Sequence, residues 1–170
     1  MMDLVVRAPR LPVIGESLLS HSFRTSPGGK GGNQAIAAAR LGASVTMIGQ
    51  VGGDRFGEIL RERLEAEGVD TRFVSVDPEL GTGVAVPIVL DSGENAILAV
   101  PQANLALSSL LIERARDVIS SAGMLLVQFE VNMDATLAAG PRSRRRVACE
   151  LPDRRRRRPR GRAGAGAGGA

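Results

Sequence analysis

Apolar and polar positions change rhythm several times along the chain, and each change marks an element. Asn33 to Leu41 reads NQAIAAARL, an alanine-rich run that predicts a short helix capped by Gly42, with glycines crowded just ahead of it. Val45 to Val51 (VTMIGQV) is mostly apolar and β-branched, the texture of a strand covered on both faces. Gly52, Gly53 and Asp54 then turn the chain into a second helix, Phe56 to Glu67. Phe56, Ile59, Leu60 and Leu64 fall there at helical spacing, Arg61, Glu62, Arg63 and Glu65 face water, and Gly68 ends the run.

From Val74 the pattern becomes one of short extended segments. Gly83 to Leu90 and Ala96 to Val100 are joined by the polar stretch Asp91-Ser92-Gly93-Glu94-Asn95, a hairpin pattern, and Pro87 marks an edge strand. Ser108 caps a helix running to about Ser121, Met124 to Phe129 reads as another buried strand, and a further helix begins at Asp134. Strand, helix and strand with an inserted hairpin predict an α/β sheet carrying a small β appendage.

Everything after Ala139 breaks this grammar. Residues 140–170 run through GPRSRRR, an unbroken Arg154 to Arg158 and alternating Gly and Ala, with no apolar period, and are expected to be disordered. A basic tail for a polyanion is one reading of this stretch. The other, which the sequence favours, is a shifted reading frame in a GC-rich gene: the chain uses 21 arginines to one lysine, and the helix begun at Asp134 is cut off mid-pattern.

Charge follows the same boundary. The chain carries +4 overall, but eleven arginines against Glu150 and Asp153 give the tail +9, leaving residues 1–139 at −5. The pI of 10.8 therefore describes the tail and says nothing about the globular part, and a nucleic-acid reading based on the whole-chain pI is excluded. With no Trp or Tyr and four Phe, there is also almost nothing for bases to stack on. At 170 residues, 44% of them hydrophobic, the chain allows one domain of ordinary size. The single cysteine, Cys149, excludes a disulfide framework and a cysteine zinc cluster. No apolar run reaches membrane-span length, and Asp3, Arg7 and Arg10 stand where a signal peptide needs apolar residues, so a cytoplasmic setting is expected.

The chemistry concentrates at Gly28-Gly29-Lys30-Gly31-Gly32-Asn33-Gln34. Four glycines around a lysine, directly before a helix, let the backbone approach a ligand and aim free N–H groups at it. Taken alone the same run is equally a tight strand-to-helix turn, and it is not a Walker A loop, because Gly31 follows Lys30 where Ser or Thr is required.

The longer run PGGKGGNQAIAAARLGA followed by VTMIGQVGGDRFGE resembles the N-terminal signature of the ribokinase-like (phosphofructokinase-B type) carbohydrate kinases. Met2-Asp3 resembles that family's strand-end aspartate, Pro12 to Glu16 its P-x-P-G-E turn, with Ile14 in place of the usual proline, and Thr82 to Ala85 its lid strand. Gln102-Ala103-Asn104 resembles the segment after the lid and Gln128-Phe129-Glu130 its Q-x-E, so the resemblance covers residues 2 to about 138.

The resemblance implies a partial doubly wound sheet with a small β lid, lacking the C-terminal half. It also implies ATP-dependent phosphoryl transfer to the primary hydroxyl of ribose or a similar sugar. Asp3 and Glu130 would accept hydrogen bonds from sugar hydroxyls, Asn33 would donate and accept, and Gly29, Gly31 and Gly32 would admit the backbone to the ring. Lys30 is either a ligand contact or a solvated charge, while Gly53 and Asp54 read as holding a turn. A homodimer through the lid is a further implied arrangement. The family's opening strand, its N-x-x-E segment associated with Mg and phosphate, and its G-A-G-D catalytic run have no counterpart in the sequence, so the ATP and Mg site is expected to be absent. The expected role is that of a catalytically incomplete fragment, the alternatives being a non-catalytic sugar-binding or regulatory module and a polyanion-binding protein.

Overall fold

The computed structural model describes residues 1–140 and the backbone of Arg146–Cys149. The chain opens with strands β1 (Met2–Ala8) and β2 (Ser22–Pro27), helix α1 (Lys30–Arg40), strand β3 (Thr46–Gly52), helix α2 (Arg55–Ala66) and strand β4 (Asp70–Asp77). Strands β5 (Val84–Leu90) and β6 (Asn95–Val100) follow, then a 3-10 turn at Gln102–Ala106 and helices α3 (Ser109–Arg114) and α4 (Arg116–Ser121). Strand β7 (Met124–Val127), helix α5 (Met133–Ala139) and strand β8 (Arg146–Cys149) complete it.

Two regions result. The base is α/β: β3 and β4 are parallel neighbours joined through α2, and β7 and β8 are parallel neighbours joined through α5. Alternation along β3 divides its side chains between two cores. Met47 and Val51 join Met2, Leu60 and Val74 on the α2 side, whereas Ile48, with Phe73 and Leu125, packs against Leu111, Ile112, Ile119 and Ala135 of α3, α4 and α5. A third cluster, Ala35, Leu64 and Val69, joins α1 to α2. Helices therefore cover both faces of the base strands, as an α/β sheet requires.

The lid is a four-stranded sheet in the order β2-β1-β5-β6, antiparallel at both outer pairs and parallel between β1 and β5. It is larger than the inserted hairpin expected from sequence, because β1 and β2 contribute half of it. Registered partners share a face, so Val6, Phe23, Ile88 and Ala96 lie on one side and Asp3, Ser26, Ala85 and Ala99 on the other.

Several boundaries differ from the sequence reading. Pro87 does not mark an edge: β5 lies between β1 and β6, and the ladder to β1 skips Val86 and Pro87, which accommodates the missing N–H. Helix α1 starts at Lys30, so Gly31 and Gly32 lie in its first turn, and the helix expected from Ser108 to Ser121 divides at Ala115 into α3 and α4. The stretch read as a disordered tail contains β8, whose backbone extends the β7 pair. The remainder of that tail, residues 141–145 and 150–170, lies outside the described residues.

Candidate functional site

The N-terminal end of the described chain, the glycine loop and the end of β7 meet at one place. Gly29 precedes α1 with φ +85°, and a Cβ on it would stand 3.0 Å from the Met1 nitrogen, so only glycine fits both the conformation and the space. Gly28 donates its N–H to the Met1 carbonyl at 3.1 Å, and the Asp3 carboxylate occupies the position a Gly28 side chain would need. Across the gap, the Lys30 ammonium donates to the Glu130 carboxylate, and Gln128 donates to the Gln34 side-chain oxygen at 2.7 Å. Gly31 is wedged against Met47 and Gln128, whereas a Cβ on Gly32 would meet nothing within 4 Å, leaving room beside α1.

Electrostatics brings the same residues together. Burial pushes the Met1 ammonium below its ordinary value, against the pull of the Asp3 and Glu130 carboxylates, so the two acids flank one cationic point. Both members of the Lys30–Glu130 pair are about half exposed (49% each), which leaves the pair exchangeable with a ligand. Gly29, Lys30, Gly31, Gly32, Asn33 and Glu130 all line one cleft of about 1470 Å³, and Asn33 is exposed on it. Asp3 does not line this cleft; its carboxylate sits on the lid side of Gly28. The arrangement offers carboxylate acceptors, an amide that donates and accepts, and a helix start with free N–H groups, the equipment for a neutral polyhydroxyl ligand.

A second polar cluster, read from sequence only as a turn, ties lid to base. The Asp54 carboxylate accepts from the Gly57 N–H at 2.9 Å, capping α2, and from the Thr82 N–H and hydroxyl at 2.7 and 2.6 Å. Thr82, 2% exposed, accepts the Gly52 N–H at 2.9 Å and receives Gln102 Nε2 on its carbonyl at 3.2 Å. The end of β3, the start of α2, the entry to β5 and the exit from β6 are thus knotted at one carboxylate. Burial works to raise the Asp54 carboxyl, but the bonds from Thr82, Gly57 and Phe56 outweigh it and hold it below the usual range. Glycines at 52 and 57 were the available signal: added Cβ atoms would meet Thr82 N at 2.4 Å and Gly52 O at 2.3 Å.

The pfkB family carbohydrate kinase model matches residues 1–138. The chain belongs to this family. It is similar to the ribokinase of Bacillus subtilis, 43% identical over 130 residues, covering 76% of this chain and 44% of that protein. It is similar too to the ribokinase of Mus musculus, 40% identical over 145 residues, covering 85% of this chain and 45% of that protein. The solved structure of Arabidopsis thaliana ribokinase complexed with ribose and ATP superposes with a TM-score of 0.76 at 28% identity, over 88% of this chain and 50% of that one. The chain spans about half the length of these relatives. The partial α/β sheet and lid are thus those of a pfkB family carbohydrate kinase.

Ribokinase relatives have been solved with ATP and with ADP, so the family implies ATP use. Among the described residues no group of three or more His, Cys, Asp or Glu stands together as a metal seat. Among the described residues, no helix is long and apolar enough to cross a membrane.

Proposed function

We propose that residues 1–139 are the sugar-binding and lid portion of a carbohydrate kinase that phosphorylates the primary hydroxyl of ribose or a similar sugar, and that this chain alone is catalytically incomplete. The observation that carries the reading is that the glycine loop touches the Asp3 carboxylate through Gly28 and Glu130, just past the carboxyl end of β7, through Lys30, the end of a strand at which ligands of open α/β sheets bind. In this reading Asp3, Glu130 and Asn33 bond sugar hydroxyls, Gly29, Gly31 and Gly32 admit the ring, and Lys30 holds Glu130 in place until the sugar arrives. The ribose-bound relative supports the choice of sugar. A cytoplasmic location, where a carbohydrate kinase meets ATP, belongs to the same reading.

A homodimer through the lid belongs to it as well. Phe23 and Leu98, each 64% exposed, and Val100, 47% exposed, lie on the same lid face as Val6 and Ile88, an apolar surface suited to a second copy.

Ligand-detected NMR with ribose tests the site. Asn33→Ala should weaken binding by on the order of 1 to 3 kcal/mol, about five- to 150-fold in Kd, because a sugar hydroxyl loses its partner. Ribose binding unchanged by that substitution would remove the site assignment. No ATP-dependent ribose phosphorylation above background is expected, and turnover that survives removal of host kinases would overturn the incompleteness.

A further inference from the structure

The turn that carries the chain out of the lid holds a side chain on left-handed backbone. Gln102 has φ +45°, the only positive value on a residue other than glycine among the described residues. Three contacts keep it there. Its Nε2 donates to the Thr82 carbonyl at 3.2 Å, its Oε1 fills the space a Gly81 side chain would need, and the next N–H, of Ala103, donates to the Gly81 carbonyl at 3.1 Å. Backbone strain enforced this closely gathers at ligand clamps. What it sets here is the position of Asn104, two residues further on.

Asn104 is fixed on three sides. Its N–H donates to the Pro101 carbonyl at 3.0 Å, and its carbonyl accepts from the Asn132 N–H at 3.4 Å, two residues beyond Glu130. Its side chain lies over Gly83, where a Cβ would stand 3.2 Å from Asn104 Nδ2 and 3.2 Å from Met1 Cγ. Gly83 comes two residues before Ala85, the register partner of Asp3, and its carbonyl accepts the Met2 N–H at 2.9 Å. The direction of that Cβ is therefore the Asp3 face of the lid. Asn104 thus stands at the root of the lid, between Asp3 and the segment after Glu130, and it lines the same cleft as Asn33 and Glu130. The residue is half-buried, yet among the described residues neither its Nδ2 nor its Oδ1 has a hydrogen-bond partner.

The chemistry of the cleft leaves a task for such an amide. Asp3 and Glu130 only accept, and Lys30 is engaged with Glu130, so side-chain donors for a polyhydroxyl ligand are few. A hydroxyl that gives its proton to a carboxylate keeps lone pairs that an amide N–H can fill. We propose that Asn104 is a further sugar-binding residue, its Nδ2 donating to a hydroxyl that Asp3 or Glu130 holds from the other side. The inference rests on the sugar reading of this cleft and adds to it a contact from the exit turn of the lid. Through Gln102 and Thr82 that contact is joined to the Asp54 cluster, so a sugar held by Asn104 is held at the crossing of lid and base.

Sugar titrations of the full chain, followed by ligand-detected NMR, test it. The probes are ribose and analogues that each lack one hydroxyl: the 2-deoxy, 3-deoxy and 5-deoxy sugars and 1,4-anhydroribitol. Asn104→Ala should weaken ribose binding about five- to 150-fold. For the one analogue without the hydroxyl that Asn104 meets, the same substitution should cost less than about twofold, because the partner is already gone. Asn104→Asp keeps the shape of the side chain and removes the donor, and it should show the same selective loss with hydrogen exchange in β5 unchanged. A residue that only shapes the turn would weaken every sugar alike, and that result would overturn the proposal. Ribose binding unchanged by Asn104→Ala but weakened by Asn33→Ala would overturn it too, and would leave the sugar site standing. Ribose binding that neither substitution changes, or that the unmodified chain lacks, would overturn both.

Discussion

The lid and the base are each unfinished, in opposite ways. In the lid every strand has its neighbour, and the sheet β2-β1-β5-β6 is assembled wholly from residues 2–100, but one broad apolar face, with Phe23, Leu98 and Val100, meets solvent. In the base the faces are covered by α1 to α5, and among the described residues what is open is an edge, since no ladder joins β3 to β7. The distinction is chemical. An uncovered face costs transfer free energy, roughly 25 cal/mol per Å² of apolar surface, and any apolar surface of suitable shape relieves it. An uncovered edge leaves directional N–H and C=O groups unpaired inside a core, and only another strand relieves that. The lid thus leaves a face open to solvent and the base, among the described residues, an edge without a ladder.

Met2 tests whether the two regions are separate at all. It belongs to β1 of the lid, yet it is 1% exposed and packs in the base cluster with Val51, Leu60 and Val74. Met2→Ala should cost about 3 kcal/mol, the usual range for emptying a buried site of this size. If lid and base form one cooperative unit, denaturation followed by exchange in β5 and in α2 will move together. Two transitions, with only one displaced, would divide the molecule at β1.

Asp54 sharpens the same comparison at the other crossing. Asp54→Ala removes the α2 cap and leaves the Thr82 hydroxyl and N–H without their acceptor, at an expected cost of about 2 kcal/mol. The loss should fall unevenly, loosening β5 and β6 more than β3 and β4, because the lid pair enters and leaves through Thr82 and Gln102. Asp54→Asn, which keeps one acceptor oxygen, should recover part of the stability. Uniform loosening of base and lid would mean that the carboxylate only caps a helix.

The base was largely legible in the sequence and the lid only in part, and the reason is again the covered face. VTMIGQV and the α2 pattern Phe56, Ile59, Leu60 and Leu64 announce their burial because helices and strand pack on each other locally. Strand β2 is SFRTSP, with nearly every residue exposed, and carries no apolar alternation for a reader to detect; it is a strand because β1 pairs with it. Strand β4 was lost similarly, since Asp70 and Thr71 at its start look like loop. At the candidate site the glycine loop was visible as a motif, but the Lys30–Glu130 pair bridges 100 residues and no local pattern encodes it. Asp54 read as a turn residue because its partner Thr82 lies 28 residues away.

The smallest expected effect concerns the loop between β1 and β2, where the lid is most exposed. Glu16 accepts from Arg10 Nη1 at 2.7 Å and from the Val13 N–H at 3.0 Å, and the guanidinium bond, followed by the backbone bond, lowers its pKa from 4.5 to about 2. A carboxyl depressed on folding stays charged in the native chain while the unfolded chain takes up a proton. Its contribution is therefore complete above about pH 4.5 and is lost as the pH falls toward 2. Because the pair is open to water, the consequence should be local: carbon-13 NMR of the Glu16 carboxyl should titrate near 2, and Arg10→Gln should return it toward the ordinary range. Exchange at Val13 should rise with that substitution, while exchange in β3 and α2 stays where it was. A change that reached those base elements would show that the lid loop, despite its exposure, is coupled to the core, and the division between lid and base would have to be redrawn around β1.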